Sequence, residues 1–212
     1  MPTDPRTPPP EPSPGLDWDV RFDRPDYIFG TRPNTFLEEY AVVIPAGGDV
    51  LAIADGEGRN SVFLAERGYA VDAVDGSSVA IEKARRLAAE RGVVVNHRHD
   101  DLTRMGWPEE AYDAVVAVFI QFLPRAARPR LWARVRSALR PGGVLLLIGY
   151  TPRQLAYGTG GPGDPDRLYE PAQLRDELGM FTLERFEEHE YEMDEGPGHH
   201  GMSAVVEVIA RR

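Results

Sequence analysis

Residues 49–60 read Asp-Val-Leu-Ala-Ile-Ala-Asp-Gly-Glu-Gly-Arg-Asn, and this stretch decides the fold. Asp49–Ala54 is a short apolar run, the pattern of a strand buried on both faces. Such strands belong to parallel sheets covered by helices on either side. The run ends in Asp55-Gly56-Glu57-Gly58, where two glycines let the backbone turn sharply and approach a ligand closely. Asn60–Arg67 (NSVFLAER) then reads as a helix, closed by Gly68 at a C′ position. The helix start presents unpaired N–H groups to an anion.

Downstream the alternation continues. Ala70–Val74 is a second strand, ending at Asp75-Gly76. Ser78–Arg91 is a helix with Ser78 as N-cap and Gly92 as its stop. Val93–His97 and Tyr112–Phe119 are the third and fourth strands. Arg128–Leu139 is a helix halted by Pro141-Gly142-Gly143, and Val144–Gly149 is the fifth strand. Thr151–Arg167 is rich in glycine and proline and reads as a long loop, Pro171–Leu178 as a short helix. Thr182–Met193 and Met202–Arg211 are strand-like runs joined by the turn-rich residues 194–201. The expected architecture is α/β: a doubly wound, Rossmann-like, seven-stranded sheet, mostly parallel with a C-terminal antiparallel strand pair. Ligands of such a sheet sit beyond the carboxyl ends of its strands.

Upstream, Pro2, Pro5, Pro8, Pro9, Pro10, Pro12 and Pro14 punctuate a stretch with almost no apolar residues. Residues 1–16 are expected to be a disordered tail and residues 17–212 one domain. Asn34 is an N-cap candidate for a helix over Thr35–Val43.

The chain has 212 residues, 42% hydrophobic and 27% charged, which is ordinary globular usage. No apolar run is long enough for a membrane span, and the start lacks the order of a secretory signal. With no cysteine at all, disulfide scaffolds, cysteine nucleophiles and Cys-based metal sites are excluded. A cytoplasmic location is the expectation. A net charge of −10 argues against a broad nucleic-acid surface. His97 and His99 lack further partners at metal-ligand spacing, so no metal is expected.

The glycine turn after strand one, with Asp75 at the end of strand two, matches a nucleoside-type site in which the acid accepts hydrogen bonds from ribose hydroxyls. Dinucleotide sites prefer G-x-G-x-x-G/A, and here Ser61 holds the third position. That demotes NAD or FAD without excluding them. No Walker loop is present. The remaining candidate with this layout is S-adenosylmethionine.

The chain resembles the class I S-adenosylmethionine-dependent methyltransferases, in particular a small bacterial group allied to tellurite-resistance and thiopurine S-methyltransferase-like proteins. Trp18-Asp19-x-Arg21-Phe22 and Tyr27–Leu37 (YIFGTRPNTFL) resemble that group's entry segment. Ala54–Asn60 (ADGEGRN) resembles its first cofactor motif. Phe119-Ile120-Gln121-Phe122, Leu139–Gly143, Gly149–Pro162 and Glu195-Gly196-x-Gly198-His199-x-Gly201 carry the rest. The commoner first motif has an acid inside strand one and a Gly-Cys pair before the first glycine. Those places here hold Ala52, Ala54 and Asp55, so Asp55 is expected to take over the contact to the cofactor's amino group.

The resemblance implies the remaining assignments. Asp55, Gly56, Gly58, Arg59, Asp75, Gly76, Asp101, Leu102, Phe119 and Tyr27 would bind the cofactor, with Asp101 and Leu102 at the adenine and Tyr27 in a lid. His199 would be the catalytic group, because imidazole titrates near neutrality. Residues 157–169 would form a substrate-side loop. The expected reaction moves a methyl group to a small molecule, foremost a thiol or other soft nucleophile, in a monomer or homodimer. Strand four lacks the Asn/Asp-Pro-Pro-aromatic signature of exocyclic-amine methylation, so no nucleic-acid substrate is expected. Two alternatives stand beside it: an S-adenosylmethionine-binding protein without catalysis, and an NAD-dependent oxidoreductase.

Overall fold

The first strand, β1 (Asp49–Ile53), lies inside a seven-stranded sheet, seen here in a computed structural model that describes residues 17–212. The tail expected over residues 1–16 lies outside the described residues. β1 pairs in parallel with β2 (Ala70–Asp75) on one side and β4 (Tyr112–Val118) on the other. β3 (Asn96–His99) continues the sheet beyond β2, and β5 (Leu139–Tyr150) continues it beyond β4. The order is β3-β2-β1-β4-β5-β7-β6. β7 (His200–Arg211) runs antiparallel to both β5 and β6 (Thr182–Asp194), so β6 returns to the direction of the first five strands. The α/β class, the mostly parallel sheet and the closing antiparallel pair are as the pattern predicts.

The apolar strands are buried on both faces, and alternation decides which face each residue serves. Leu51, Val115, Leu145 and Leu147 pack with Trp132 on one side. Val50, Val116, Leu146 and Ile148 pack with Phe36, Leu37 and Leu64 on the other. Each such side chain removed from water contributes about 1.5–3 kcal/mol. The first face is covered by α5 (Arg128–Ala138) and α6 (Pro171–Glu177), which carry Trp132 and Leu174. α2 (Thr35–Tyr40) and α3 (Arg59–Glu66) cover the second face. α4 (Ser78–Arg91) packs beside α3, and α1 (Trp18–Phe22) docks on α4.

Several boundaries move. The N-cap of α4 is Ser77, whose hydroxyl accepts from Ala80 N at 3.1 Å, so Ser78 is the first helical residue. β3 starts at Asn96 because its register joins Asn96 to Asp72, beyond the left-handed Gly92 cap. β5 begins before Pro141-Gly142-Gly143: Gly142 N donates to Arg212 O and Arg212 N to Gly143 O, so pairing with Arg212 ties these residues to the strand even though Gly142 is left-handed at φ +80°. Asn34 caps α2, which ends at Tyr40 and tightens into a 3₁₀ turn over Ala41–Val43. The loop over 151–167 contains two further 3₁₀ turns, Pro152–Ala156 and Pro165–Arg167.

Candidate active site

β1 and β4 are neighbours whose connections leave in opposite directions, and a crevice opens beyond their carboxyl ends. A cavity of about 750 Å³ fills it. Ala54 and Phe119 follow the ends of the two strands and line it, both in the left-handed region at φ +48° and +55°. Non-glycine residues held there cost about 1–3 kcal/mol each and mark functional crevices.

The floor is the glycine turn. Asp75 accepts from Gly56 N and from Ser77 N, each at 2.8 Å, which ties the end of β2 to the turn after β1. Asp55 is buried and accepts from the Ser61 hydroxyl at 2.5 Å and from Ser61 N at 3.3 Å. Burial pushes the Asp55 carboxyl up to about 7; Asp75 adds to the rise, while Ser61 and Arg59 oppose it. Asp75 is also raised, chiefly by burial. Gly58 serves the fold. At φ +90° it approaches α4 so closely that a Cβ would lie 2.7 Å from the Ala84 Cβ. The close-packing glycine absent at position 61 thus has a counterpart three residues earlier, against a helix instead of a strand.

The roof joins two distant segments. Buried Glu57 pairs with buried Lys83, and Glu57 also accepts from Ile28 N at 2.8 Å. The Lys83 ammonium donates to Phe22 O, Arg24 O and Asp26 O, so one cation gathers the carbonyls of the entry segment. A second buried pair, Arg59–Glu195 at 2.8 Å, reaches the β6–β7 turn. Asn34 Nδ2 and Thr35 N donate to Glu195, and Arg59 donates to Phe29 O. Although burial opposes it, contacts with His199, Arg59, Asn34 and Thr35 hold the Glu195 carboxyl down at about 2. Gly198 N donates to Ile28 O at 2.7 Å, and a Cβ at Gly198 would stand 2.6 Å from the Phe29 ring.

His199 lines the cavity from this turn. Its ring lies 4.4 Å from Phe29, 4.4 Å from Phe119 and 5.8 Å from Tyr150. Nδ1 is 3.9 Å from Glu195, too far for a hydrogen bond, and is buried without one. Burial lowers the imidazole to about 4, helped by the charges of Arg59 and Arg21 and opposed by Glu195. The ring is therefore neutral at neutral pH.

Asp55, Gly56, Arg59, Asp75, Gly76, Asp101, Leu102, Phe119 and His199 all line the one cavity. Gly58 and Tyr27 are not among its lining residues. Tyr27 stacks over the Lys83 ammonium at 5.1 Å and donates to Lys83 O, so its ring backs the clamp instead of facing the cavity. Arg59 is committed to Glu195 and Phe29. Asp101 accepts from Thr103 N at 2.8 Å, which caps the turn after β3. Gly161 and Pro162 of the loop after β5 reach the cavity wall. Sequence reasoning missed Glu57, Lys83 and Glu195 as roof-holding charges. Spacing alone carries no sign that Glu57 and Lys83 meet.

Residues 50–143 match the family described as "Methyltransferase domain". A protein-L-isoaspartate O-methyltransferase of Chlorobaculum tepidum is 36% identical over 101 residues, 47% of this chain and 44% of that protein. The match thus spans less than half the length of that relative. Among solved structures, the protein studied for conversion of a disulfide bond into a thioacetal group during echinomycin biosynthesis superposes with a TM-score of 0.74 at 24% identity. That match covers 90% of this chain and 85% of that one. Magnesium protoporphyrin IX methyltransferase from Synechocystis PCC 6803, with bound S-adenosylhomocysteine (SAH), superposes with a TM-score of 0.60 at 21% identity, covering 82% and 78%.

Proposed function

We propose that this chain, whose residues 50–143 match a methyltransferase-domain family, transfers a methyl group from S-adenosylmethionine to a small-molecule thiol or other soft nucleophile. The observation that carries this reading is His199, a neutral, weakly basic imidazole walled by aromatic rings inside the cavity.

The residues present fit the cofactor. The cavity lies within the range of small-molecule sites, roughly 300–1,000 Å³, with room for a cofactor and a small acceptor. Asp75 stands beside the Gly56 turn, where ribose hydroxyls would find an acceptor. Leu102 lines an apolar wall for an adenine, with Asp101 beside it. Asp55 lies in the turn before α3, where the methionine end would sit, while Arg59 stays paired with Glu195. When bound, S-adenosylmethionine supplies a methyl group already activated on a sulfonium.

The protein's task is then placement. An acceptor atom must be held about 3–3.5 Å from the carbon it attacks, and in line with it. The Phe29, Phe119 and Tyr150 rings around His199 would wall the chamber in which the acceptor lies. A base whose conjugate acid titrates near 4 gives little help to a hydroxyl or amine. A thiol needs little, being partly ionised near neutral pH.

The reading is tested by calorimetric titration of SAH, with NAD as comparison, followed by methyl transfer to a panel of thiols. Micromolar binding at one site and turnover on a thiol support it; binding with no turnover on any acceptor leaves a cofactor-binding protein without catalysis. NAD binding without SAH binding would restore the oxidoreductase. For His199→Gln we expect thiol kcat to fall by about tenfold at most, the loss of one positioning hydrogen bond, with SAH affinity unchanged within about threefold. His199 should contribute no step to the wild-type rate between about pH 5 and 7, because it is already neutral there. A step in that window that His199→Gln removes would contradict the assignment.

A further inference from the structure

Four arginines line the cavity among the described residues: Arg21, Arg59, Arg104 and Arg167. Three face carboxylates: Arg59 is 2.8 Å from Glu195, Arg104 is 3.7 Å from Asp101 and Arg167 is 3.6 Å from Asp164. Arg21 has no such partner among the described residues. Its Nε is buried and makes no hydrogen bond. Its guanidinium lies 5.4 Å from the Trp18 ring and 5.8 Å from the Phe29 ring, and aromatic faces of this kind fix a guanidinium plane without neutralising it.

The nearby carboxylates are engaged elsewhere. Asp17 accepts from Asp19 N and Val20 N at the start of α1. Asp19 accepts from the Ser77 hydroxyl and Val79 N at the start of α4. Asp75 accepts from Gly56 N and Ser77 N. Each is held by donors of the fold, and among the described residues none forms an ion pair with Arg21. A cation with a buried, unused donor, stacked in place at a ligand cavity, is a preformed half of a charge-assisted pair. Its charge also reaches His199, whose imidazole it helps to keep neutral.

We infer that Arg21 is the anion-binding group of this cavity and that it takes a carboxylate or similar oxyanion. Two sources present that chemistry: the amino-acid end of the cofactor and an acidic group on the acceptor. The inference rests on the proposed methyl transfer for its ligands, and the test separates the two.

The probes are SAH, 5′-methylthioadenosine (the same nucleoside thioether without the amino-acid end), 3-mercaptopropionate and uncharged 2-mercaptoethanol. Each is titrated calorimetrically into wild type, Arg21→Gln and Arg21→Lys, the thiols with and without saturating SAH. Thermal melts establish that the variants are folded. If the cofactor is the source, Arg21→Gln weakens SAH about tenfold or more and leaves 5′-methylthioadenosine unchanged. If the acceptor is the source, SAH affinity stays within about threefold. Binding of 3-mercaptopropionate is then lost in Arg21→Gln, and 2-mercaptoethanol shows no difference. Arg21→Lys, which keeps the charge without the planar fork, falls between. If all four probes bind wild type and Arg21→Gln alike, the inference is overturned. If wild type binds neither nucleoside, the methyl-transfer reading fails by itself. Arg21 is then judged by 3-mercaptopropionate on the free protein, where loss in Arg21→Gln upholds the inference and equal behaviour overturns it.

Discussion

Replacing Lys83 by methionine is expected to destabilise the protein by about 3–5 kcal/mol, the usual consequence of removing one partner from a buried ion pair. The substitution keeps the bulk of the side chain and removes its charge. It leaves the Glu57 carboxylate buried without its cation and strips the carbonyls of Phe22, Arg24 and Asp26 of a shared donor. An unpaired buried charge is worse than none. The double variant Glu57→Leu/Lys83→Met should therefore recover part of the loss. Urea denaturation of wild type, single and double variants measures it. Because the pair anchors the entry segment, Lys83→Met should also weaken SAH binding. A loss below about 1 kcal/mol, or a double variant worse than the sum of the singles, would mean that the clamp contributes little.

The second large effect is a pH dependence centred on Asp55. Its folded-state carboxyl lies at about 7 against an ordinary value of 3.8. The sign follows from linkage: the folded protein holds a proton that the unfolded chain has already released. The protonated group's contribution is complete below about pH 4 and is lost as pH rises through about 7. At about 1.4 kcal/mol per pH unit the loss approaches 4 kcal/mol. Asp75, also raised, changes in the same direction. Asp55→Asn keeps an oxygen for Ser61 N and cannot ionise. Denaturation at pH 4 and pH 8.5 should show the variant close to wild type at the lower pH and more stable at the higher. Equal pH slopes for the two proteins would refute the buried, protonated Asp55.

Much of this molecule is legible along the chain. β1 and the turn after it are local features: an apolar run, two glycines and a helix start. Asp75 is found by its place at the end of the next strand, and the cavity does gather it with Asp55, Gly56 and Arg59. What the chain conceals is pairing across sequence distance. Glu57 looks like a surface acid inside a turn, and Lys83 like a surface base on a helix; only the docking of residues 22–29 over α4 buries both. Tyr27 misleads for the same reason, since an aromatic near a motif has no address until the cation it stacks on is known. Gly58 reads as a ligand-approach glycine, whereas the close neighbour is Ala84. The β5 boundary shows the limit of local breakers. Pro141-Gly142-Gly143 ends a helix in isolation, but pairing with Arg212 makes the same residues part of a strand.

The position of β7 has a consequence for biosynthesis. Glu195, Gly198 and His199 sit on the turn before that strand, and β7 must slot between β5 and β6 before they reach Phe29 and Arg59. During vectorial synthesis the entry segment leaves the ribosome before the hairpin that meets it. A nascent chain that has formed β1 through β5 carries the glycine turn and Asp75 but has no ceiling above them. The ceiling over the cavity therefore depends on β7, and chains truncated before that strand should be recognisable by their failure to retain nucleoside.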